Sequence, residues 1–370
     1  MAPTRGPVTA GAAKAPSRFA VVETVNLYSD TQTRPTPAMR RAMAEAEVGD
    51  EQRFADPTVG ALQDRVAELL GHEAGLFLPS GTMCNAIAFR LHVRPGGDEV
   101  ILEGTSHPVV AEAGGPGAIS GATLHKLEGD GGIFTAEQVR EAVQKPGDRY
   151  APRSRLLSVE QTTNMGGGRV WPLDRIRDVL EVAENHDLRT HLDGARLLNA
   201  VVASGVSAAD YAGGFDTAWL DFSKGLGAPV GAVLVASREL IDEAWRYKQM
   251  WGGAMRQAGI VAAGGLHALD HHVERLAEDH ENARALAEGL AELPGVRIRP
   301  ERVETNIVIF EVTGDAAAFC RDLEHGSGVL MGAFGPRRVR AVTHLDVDRE
   351  GIDRALAGAR EVLEVATASV

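Results

Sequence analysis

A lysine and an aspartate, each at the end of a strand-like apolar run and each followed by glycine, are the residues of this sequence best placed to do chemistry. Lys224 stands in Ser223-Lys224-Gly225-Leu226-Gly227-Ala228-Pro229, just after Thr217-Ala218-Trp219-Leu220-Asp221-Phe222. A lysine held at a sheet edge can be desolvated there, and its amine becomes nucleophilic enough to form a Schiff base. Asp193, in His191-Leu192-Asp193-Gly194-Ala195-Arg196, closes the preceding run Leu188-Arg189-Thr190-His191-Leu192. In a parallel sheet both emerge at one edge, where a carboxylate can pair with a protonated pyridine nitrogen. The pair reads as a pyridoxal 5'-phosphate site.

Simpler readings compete. A lone Lys-Gly or Asp-Gly is commonly a turn. Gly225-x-Gly227 could open a dinucleotide fingerprint, but that motif requires a helix to follow. Here Pro229-Val230-Gly231-Ala232-Val233-Leu234-Val235 follows, which has the character of a strand. The order and spacing of the two motifs favour the pyridoxal reading.

Three further parts of such a site can be named. Ser80, Gly81 and Thr82, between an apolar strand and a helix, offer free amides and hydroxyls to a phosphate, although a Ser/Thr helix cap accounts for the same pattern. His107, in Thr105-Ser106-His107-Pro108, can stack on a ring and exchange protons near neutral pH; a surface histidine is the alternative. An α-amino acid carries a carboxylate, which arginine grips with two prongs, and Arg196 and Arg340 are the candidates. His267 and His271 have metal-ligand spacing without a companion ligand, so a helix face is the better reading; no metal is expected. His191 and Asp193 share a strand face only because they are two residues apart.

The elements that must carry these groups are well punctuated. Thr36-Pro37 opens a helix over 38–47, and Asp56-Pro57 opens another over 58–70 that Gly71 closes. Short apolar runs over 75–78, 99–102, 155–159, 188–192, 216–222 and 232–235 then alternate with helical patterns over 85–92, 136–143 and 173–185. That rhythm predicts an α/β fold with a mostly parallel sheet covered on both faces. One long helix is expected over about 257–292. Strands near 305–311 and 338–343 with helices over 316–324 and 349–366 follow, as a smaller α+β domain. The expected layout is a disordered tail over 1–25, a large cofactor domain over 26–255, a connecting helix over 256–285 and a small domain over 286–370.

A chain of 370 residues with 44% hydrophobic content can bury one large core and a satellite. A net charge of -13 without a basic cluster argues against nucleic acid as a partner. No stretch reaches the roughly 18 apolar residues of a membrane span. Cys84 and Cys320 suggest neither a disulfide framework nor a zinc site, and a reducing cytoplasm is the expected compartment.

Assembled, these residues resemble the low-specificity L-threonine aldolases, pyridoxal phosphate enzymes of the aspartate aminotransferase superfamily with fold type I. The resemblance spans about 26–346. It rests on Ser29-Asp30-Thr31-x-Thr33-Arg34-Pro35, Val48-Gly49-Asp50, Asp56-Pro57-Thr58-Val59, Pro79-Ser80-Gly81-Thr82-Met83, Glu112-Ala113-Gly114-Gly115 and His191 to Arg196. Ser223 to Pro229, Gly252-Gly253-x-Met255-Arg256-Gln257 and Val342-Thr343-His344-Leu345-Asp346 complete it. It implies a large domain with a seven-stranded sheet and a retro-aldol cleavage of a β-hydroxy-α-amino acid to glycine and an aldehyde. It further implies that Lys224 bonds to the cofactor, Asp193 pairs with the ring nitrogen and His107 stacks on the ring. Gly81, Thr82 and Ser223 would hold the phosphate with Arg256 of a neighbouring subunit. Ser29, Arg340 and Arg196, the last also counted among the cofactor contacts, would grip the substrate carboxylate. Dimers pairing into homotetramers are implied as well.

The chain departs from the family pattern in three places. Glu160-Gln161-Thr162-Thr163-Asn164 has Thr163 where a histidine is usual, Arg53-Phe54-Ala55 replaces Tyr-Gly-Asp, and Tyr28 replaces an arginine. Thr163, Arg53 and Tyr28 are therefore expected around the substrate side chain. A β-eliminating lyase, or a lyase for a bulkier or acidic side chain selected by Arg53, is the alternative activity. A non-catalytic descendant of the fold is the third.

Overall fold

The computed structural model describes residues 24–368, so the tail expected at the N-terminus lies, up to residue 23, outside the described residues. Local signals act as the sequence dictates. Thr36 caps the helix Pro37–Ala44, its hydroxyl accepting from the Met39 amide at 3.1 Å. Asp56 caps Pro57–Leu70 through the Val59 amide at 3.0 Å, and Gly71 ends that helix in the left-handed conformation at φ +74°.

Among the described residues thirteen strands form three sheets. Strand β1 is Val25–Asn26, followed by β2 (Ala74–Leu78), β3 (Asp98–Glu103), β4 (Thr123–Leu127), β5 (Arg153–Glu160), β6 (Arg189–Gly194), β7 (Thr217–Asp221) and β8 (Ala232–Ala236). The last seven make one sheet in the order β2-β8-β7-β6-β5-β3-β4, in which β8 alone runs against its neighbours. Every residue of β3, β7 and β8 is buried, because helices cover both faces. The fold class is the expected one. It places the ends of β2, β3, β5, β6 and β7 along a single edge, and the groups proposed for chemistry follow those ends.

The C-terminal part has its own core. Strands β9 (Val296–Arg297), β10 (Ile307–Val312), β12 (Gly332–Ala333) and β13 (Arg338–Val342) form an antiparallel sheet in the order β12-β13-β10-β9. The helix Ala316–Ser327 packs against it, and Arg349–Ala368 packs against that helix. Strand β11 (Val329–Leu330) pairs in parallel with β1, so the first described segment belongs to this layer. Phe310, Phe319, Leu286 and Ile352 sit in its core, apart from the core beneath the large sheet.

The single long helix expected over 257–292 is corrected to two, Gly259–His271 and Leu276–Ala291. The break has a tertiary cause: the His272 ring is held by the Leu226 carbonyl at 2.7 Å, which turns the chain toward the loop that bears Lys224. Among the described residues no helix is long and apolar enough to cross a membrane, and both cysteines are free.

Candidate active site

Lys224 lies three residues beyond β7 in a turn closed by Gly227 N–H donating to the Lys224 carbonyl at 2.8 Å. Gly227 takes φ +76°, a left-handed conformation that a side chain would strain. The lysine amine donates to Asp221 Oδ2 and sits 5.6 Å from the centre of the Trp219 ring. Asp221 Oδ1 accepts from both the amide and the hydroxyl of Ser223, at 3.1 and 2.8 Å. One carboxylate thus aims Ser223 and Lys224 together. Sequence reasoning gave Asp221 no role, although its position at the strand's last residue, three before the lysine, was a usable signal.

Asp193 is the penultimate residue of β6, in register with Glu160 of β5 and Trp219 of β7. Its carboxylate is buried and accepts from Asn85 Nδ2 at 2.9 Å and the Ala195 amide at 3.1 Å. Burial pushes its carboxyl up, opposed by the Asn85 bond and by the positive charges of His107 and Lys224. His107 opens a short helix after β3, and its Nδ1 lies 2.8 Å from Glu112 Oε1. That bond raises the imidazole above its ordinary value despite partial burial. Lys224, Asp193 and His107 are near enough for the charge of each to bear on the others.

Two acids that the sequence did not single out as titrating groups complete this cluster. Glu160 accepts the amides of His107 and Asn164 at 2.9 and 2.8 Å. Burial and then the charge of Asp193 lift its carboxyl to about 7. Glu112 shares its Oε1 between His107 and Asn85.

The expected phosphate cradle is the start of the helix Gly81–His92. The Ser80 hydroxyl caps it by accepting from the Met83 amide at 3.2 Å, so the simpler reading of that serine holds as well. The amides of Gly81 and Thr82 have no partner among the described residues and point out of the helix end. A side chain at Gly81 would lie 2.1 Å from the Trp219 ring, so the glycine is demanded by the indole as much as by any ligand.

The arginines divide the other wall between them. Arg196 is buried and spends Nε and one terminal nitrogen on Asp30, both at 2.7 Å. The expectation of an arginine with both prongs free is corrected: only its remaining terminal nitrogen is left for a ligand. Burial alone would raise the Asp30 carboxyl, but Arg196, Lys224 and the Asn306 amide at 3.1 Å hold it well below the usual range. Arg340, on β13, donates to Asn164 Oδ1 at 2.9 Å and lies 4.5 Å over the Phe334 ring. Its Nε is buried with no partner among the described residues. Burial and the charge of Arg196 push its guanidinium down, which marks a cation short of an anion.

The remaining expected residues fall around this core. Ser29 Oγ accepts from the Thr31 amide and hydroxyl at 3.2 and 2.9 Å, which leaves its own proton free to donate. Tyr28, half exposed, lies close enough to Arg340 to influence it. Thr163, expected beside the substrate side chain, is buried in the loop after β5. Its hydroxyl accepts from the Arg169 amide at 3.2 Å, and Gly132 and Gly166 close against it. The Arg53 side chain is exposed and has no hydrogen bond or ion pair among the described residues, and Arg256, also exposed, pairs with Asp50 at 2.9 Å. Neither joins the Lys224 cluster within one chain. The His267 and His271 rings lie 4.5 Å apart, tilted at 53°, and among the described residues no three potential ligands gather to hold a metal.

Comparison with known proteins follows the same lines. A family model described as beta-eliminating lyase matches residues 26–313. The chain is 40% identical over 340 residues to the low specificity L-threonine aldolase of Escherichia coli (strain K12), covering 92% of this chain and 99% of the relative. It is 37% identical over 341 residues to low-specificity L-threonine aldolase 1 of Arabidopsis thaliana, covering 91% and 95%. The solved structure of Leishmania major threonine aldolase superposes with a TM-score of 0.80 at 19% identity, covering 92% of this chain and 99% of that one. The chain belongs to the beta-eliminating lyase family, alongside the low-specificity L-threonine aldolases and on the type I fold of pyridoxal phosphate enzymes.

Proposed function

We propose that this protein is a pyridoxal phosphate-dependent carbon-carbon lyase that cleaves β-hydroxy-α-amino acids, of the threonine, allo-threonine and phenylserine type, to glycine and an aldehyde. The observation that carries the reading is the meeting of Lys224, Asp193 and His107 at one sheet edge, beside two unpartnered helix amides. The residues fit the cofactor. A buried carboxylate whose side-chain partner is a neutral amide suits a protonated ring nitrogen, and the amides of Gly81 and Thr82 suit a phosphate. Ser80, Thr82 and Ser223 would add hydroxyls, and Arg256 a charge from a neighbouring subunit. When bound, pyridoxal phosphate supplies a conjugated cation into which the electrons of a breaking Cα–Cβ bond can spread.

The chain's own residues do the rest. Arg340, the free terminal nitrogen of Arg196 and the Ser29 hydroxyl orient the substrate carboxylate, which fixes which bond at Cα faces the cleavage direction. His107 has Nδ1 committed to Glu112, so Nε2 is the ring nitrogen that can take the proton of the β-hydroxyl. Because Glu112 raises this imidazole, His107 holds its proton above the ordinary 6.5, and cleavage through it increases with pH across that higher value. Thr163 contributes no base, since its hydroxyl is turned inward.

Incubation with L-threonine, L-allo-threonine and phenylserine tests the activity. Glycine and the matching aldehyde are expected; silence on all three with cofactor bound overturns the reading. Borohydride reduction followed by peptide mapping should mark Lys224. The description of the matching family as beta-eliminating lyases favours one second reading, elimination at Cβ, which releases ammonia and a keto acid instead of glycine. In the separate reading of a Cα–Cβ lyase for an acidic side chain, the unpaired guanidinium of Arg53 would select that side chain, and Arg53→Ala should erase any preference for acidic over neutral substrates.

The exposed Phe54 and Met250 support assembly into dimers that pair as tetramers. Two free thiols support residence in a reducing cytoplasm.

A further inference from the structure

Asn85, one turn into the helix Gly81–His92, is 1% exposed and uses every hydrogen-bonding position it has. Its Nδ2 donates to Asp193 Oδ2 at 2.9 Å and to Glu112 Oε1 at 2.8 Å. Its Oδ1 faces Trp219 Nε1 at 2.8 Å and His191 Nε2 at 3.0 Å. An indole N–H can only donate, so the atom facing it must be the amide oxygen, and the amide cannot be flipped. That choice fixes the protons further along. His191 must carry its proton on Nε2, and its bare Nδ1 accepts from the Thr217 hydroxyl at 2.8 Å. The single Thr217 proton is then spent, so His92 Nε2, 3.1 Å away, donates to that oxygen. Burial keeps both imidazoles neutral, pushing His191 down to about 3 and His92 to about 4.

We propose that Asn85 is a positioning residue that locks two carboxylates at once, Asp193 toward the cofactor ring nitrogen and Glu112 toward His107, and that Trp219 and His191 are the donors that hold its amide in the working orientation. The proposal rests on the cofactor reading above. Neither carboxylate could be aimed independently of the other, because one planar group carries both donors. A carboxylate at position 85 would have the same shape and could still accept from Trp219 and His191, but would set an acceptor against two acceptors.

The experiment measures pyridoxal 5'-phosphate affinity of the apoprotein by the visible absorption of the lysine-bound cofactor, from pH 6 to 9. The groups facing position 85 are Asp193, Glu112, His191 and Trp219, with His107, Glu160 and Lys224 behind them, so each variant is read as its difference from the unaltered protein at the same pH. For Asn85→Asp, a tenfold or greater loss of affinity at pH 8 is expected, recovering toward acid pH as the new carboxyl gains a proton and can donate. A merely structural role predicts a loss that does not vary with pH. Should that variant fail to fold, His191→Gln, which keeps a donor, is expected to bind within about twofold of the unaltered protein, and His191→Met, which has none, at least fivefold more weakly. Equal affinities in the pair, or a pH-independent effect at position 85, overturn the inference while leaving the cofactor reading intact. Absence of the visible band and of borohydride labelling at Lys224 in the unaltered protein would instead defeat the cofactor reading.

Discussion

The two walls of the pocket are charged in opposite senses. On the wall formed by the ends of β3, β5 and β6, the carboxyls of Asp193, Glu112 and Glu160 face one imidazole, His107, and a neutral amide, Asn85. On the wall shared with the small layer, Arg196 and Arg340 face one carboxylate, Asp30. The first wall is short of positive charge and the second is short of negative charge. Glu160 answers its shortage with a carboxyl raised to about 7, whereas Arg340 answers with an unpartnered Nε. Each deficit matches one end of the expected contents: a protonated ring nitrogen on the acidic wall, an amino-acid carboxylate on the basic one.

This contrast can be broken from either side. Asp30→Asn leaves Arg196 buried without its counter-charge, and a loss of about 3–5 kcal/mol in urea denaturation is expected. A loss below about 1 kcal/mol would show the pair to be dispensable. The native pair also carries a pH signature. Because the folded-state value of Asp30 is depressed, its stabilisation is complete above the ordinary 3.8 and disappears as pH falls below it. Glu160 has the opposite sign. Its folded-state value is raised, so its contribution is complete below 4.5 and is lost as pH climbs through about 7. Glu160→Gln should flatten that decline in the apoprotein by roughly 1–3 kcal/mol, and an unchanged slope would remove Glu160 from the acidic wall's account. The smallest effect is expected at Arg340→Lys, which keeps the charge and loses the fork. KM for threonine should rise about tenfold, or about 1.4 kcal/mol, with kcat little changed.

Legibility in the sequence followed the range of the interactions. Lys224 and Asp193 were visible because each is fixed by its own strand and turn, and the caps at Thr36, Asp56 and Gly71 because capping acts within one turn. Asn85 was not, since a lone asparagine inside a helix has no pattern and its partners lie at positions 112, 191, 193 and 219. The pairing of Arg196 with Asp30 spans 166 positions and was hidden for the same reason. Between His271 and Leu276 there is neither proline nor glycine, so nothing local announced that the helix ends there. The Leu226 carbonyl announces it only in three dimensions. Thr163 was read by analogy with a histidine, yet the neighbouring glycines leave it room only on the inside of its turn.

The pairing of β1 with β11, reinforced by Val342 N–H donating to the Leu27 carbonyl at 2.9 Å, has a consequence for biosynthesis. Ser29 and Asp30 emerge from the ribosome before the other groups of the pocket, yet the partners that seat their segment follow about 300 residues later. The sheet from β2 to β8 can condense while translation is still under way. The arginine wall must wait, with its earliest residues idle, until β11 and β13 have been made.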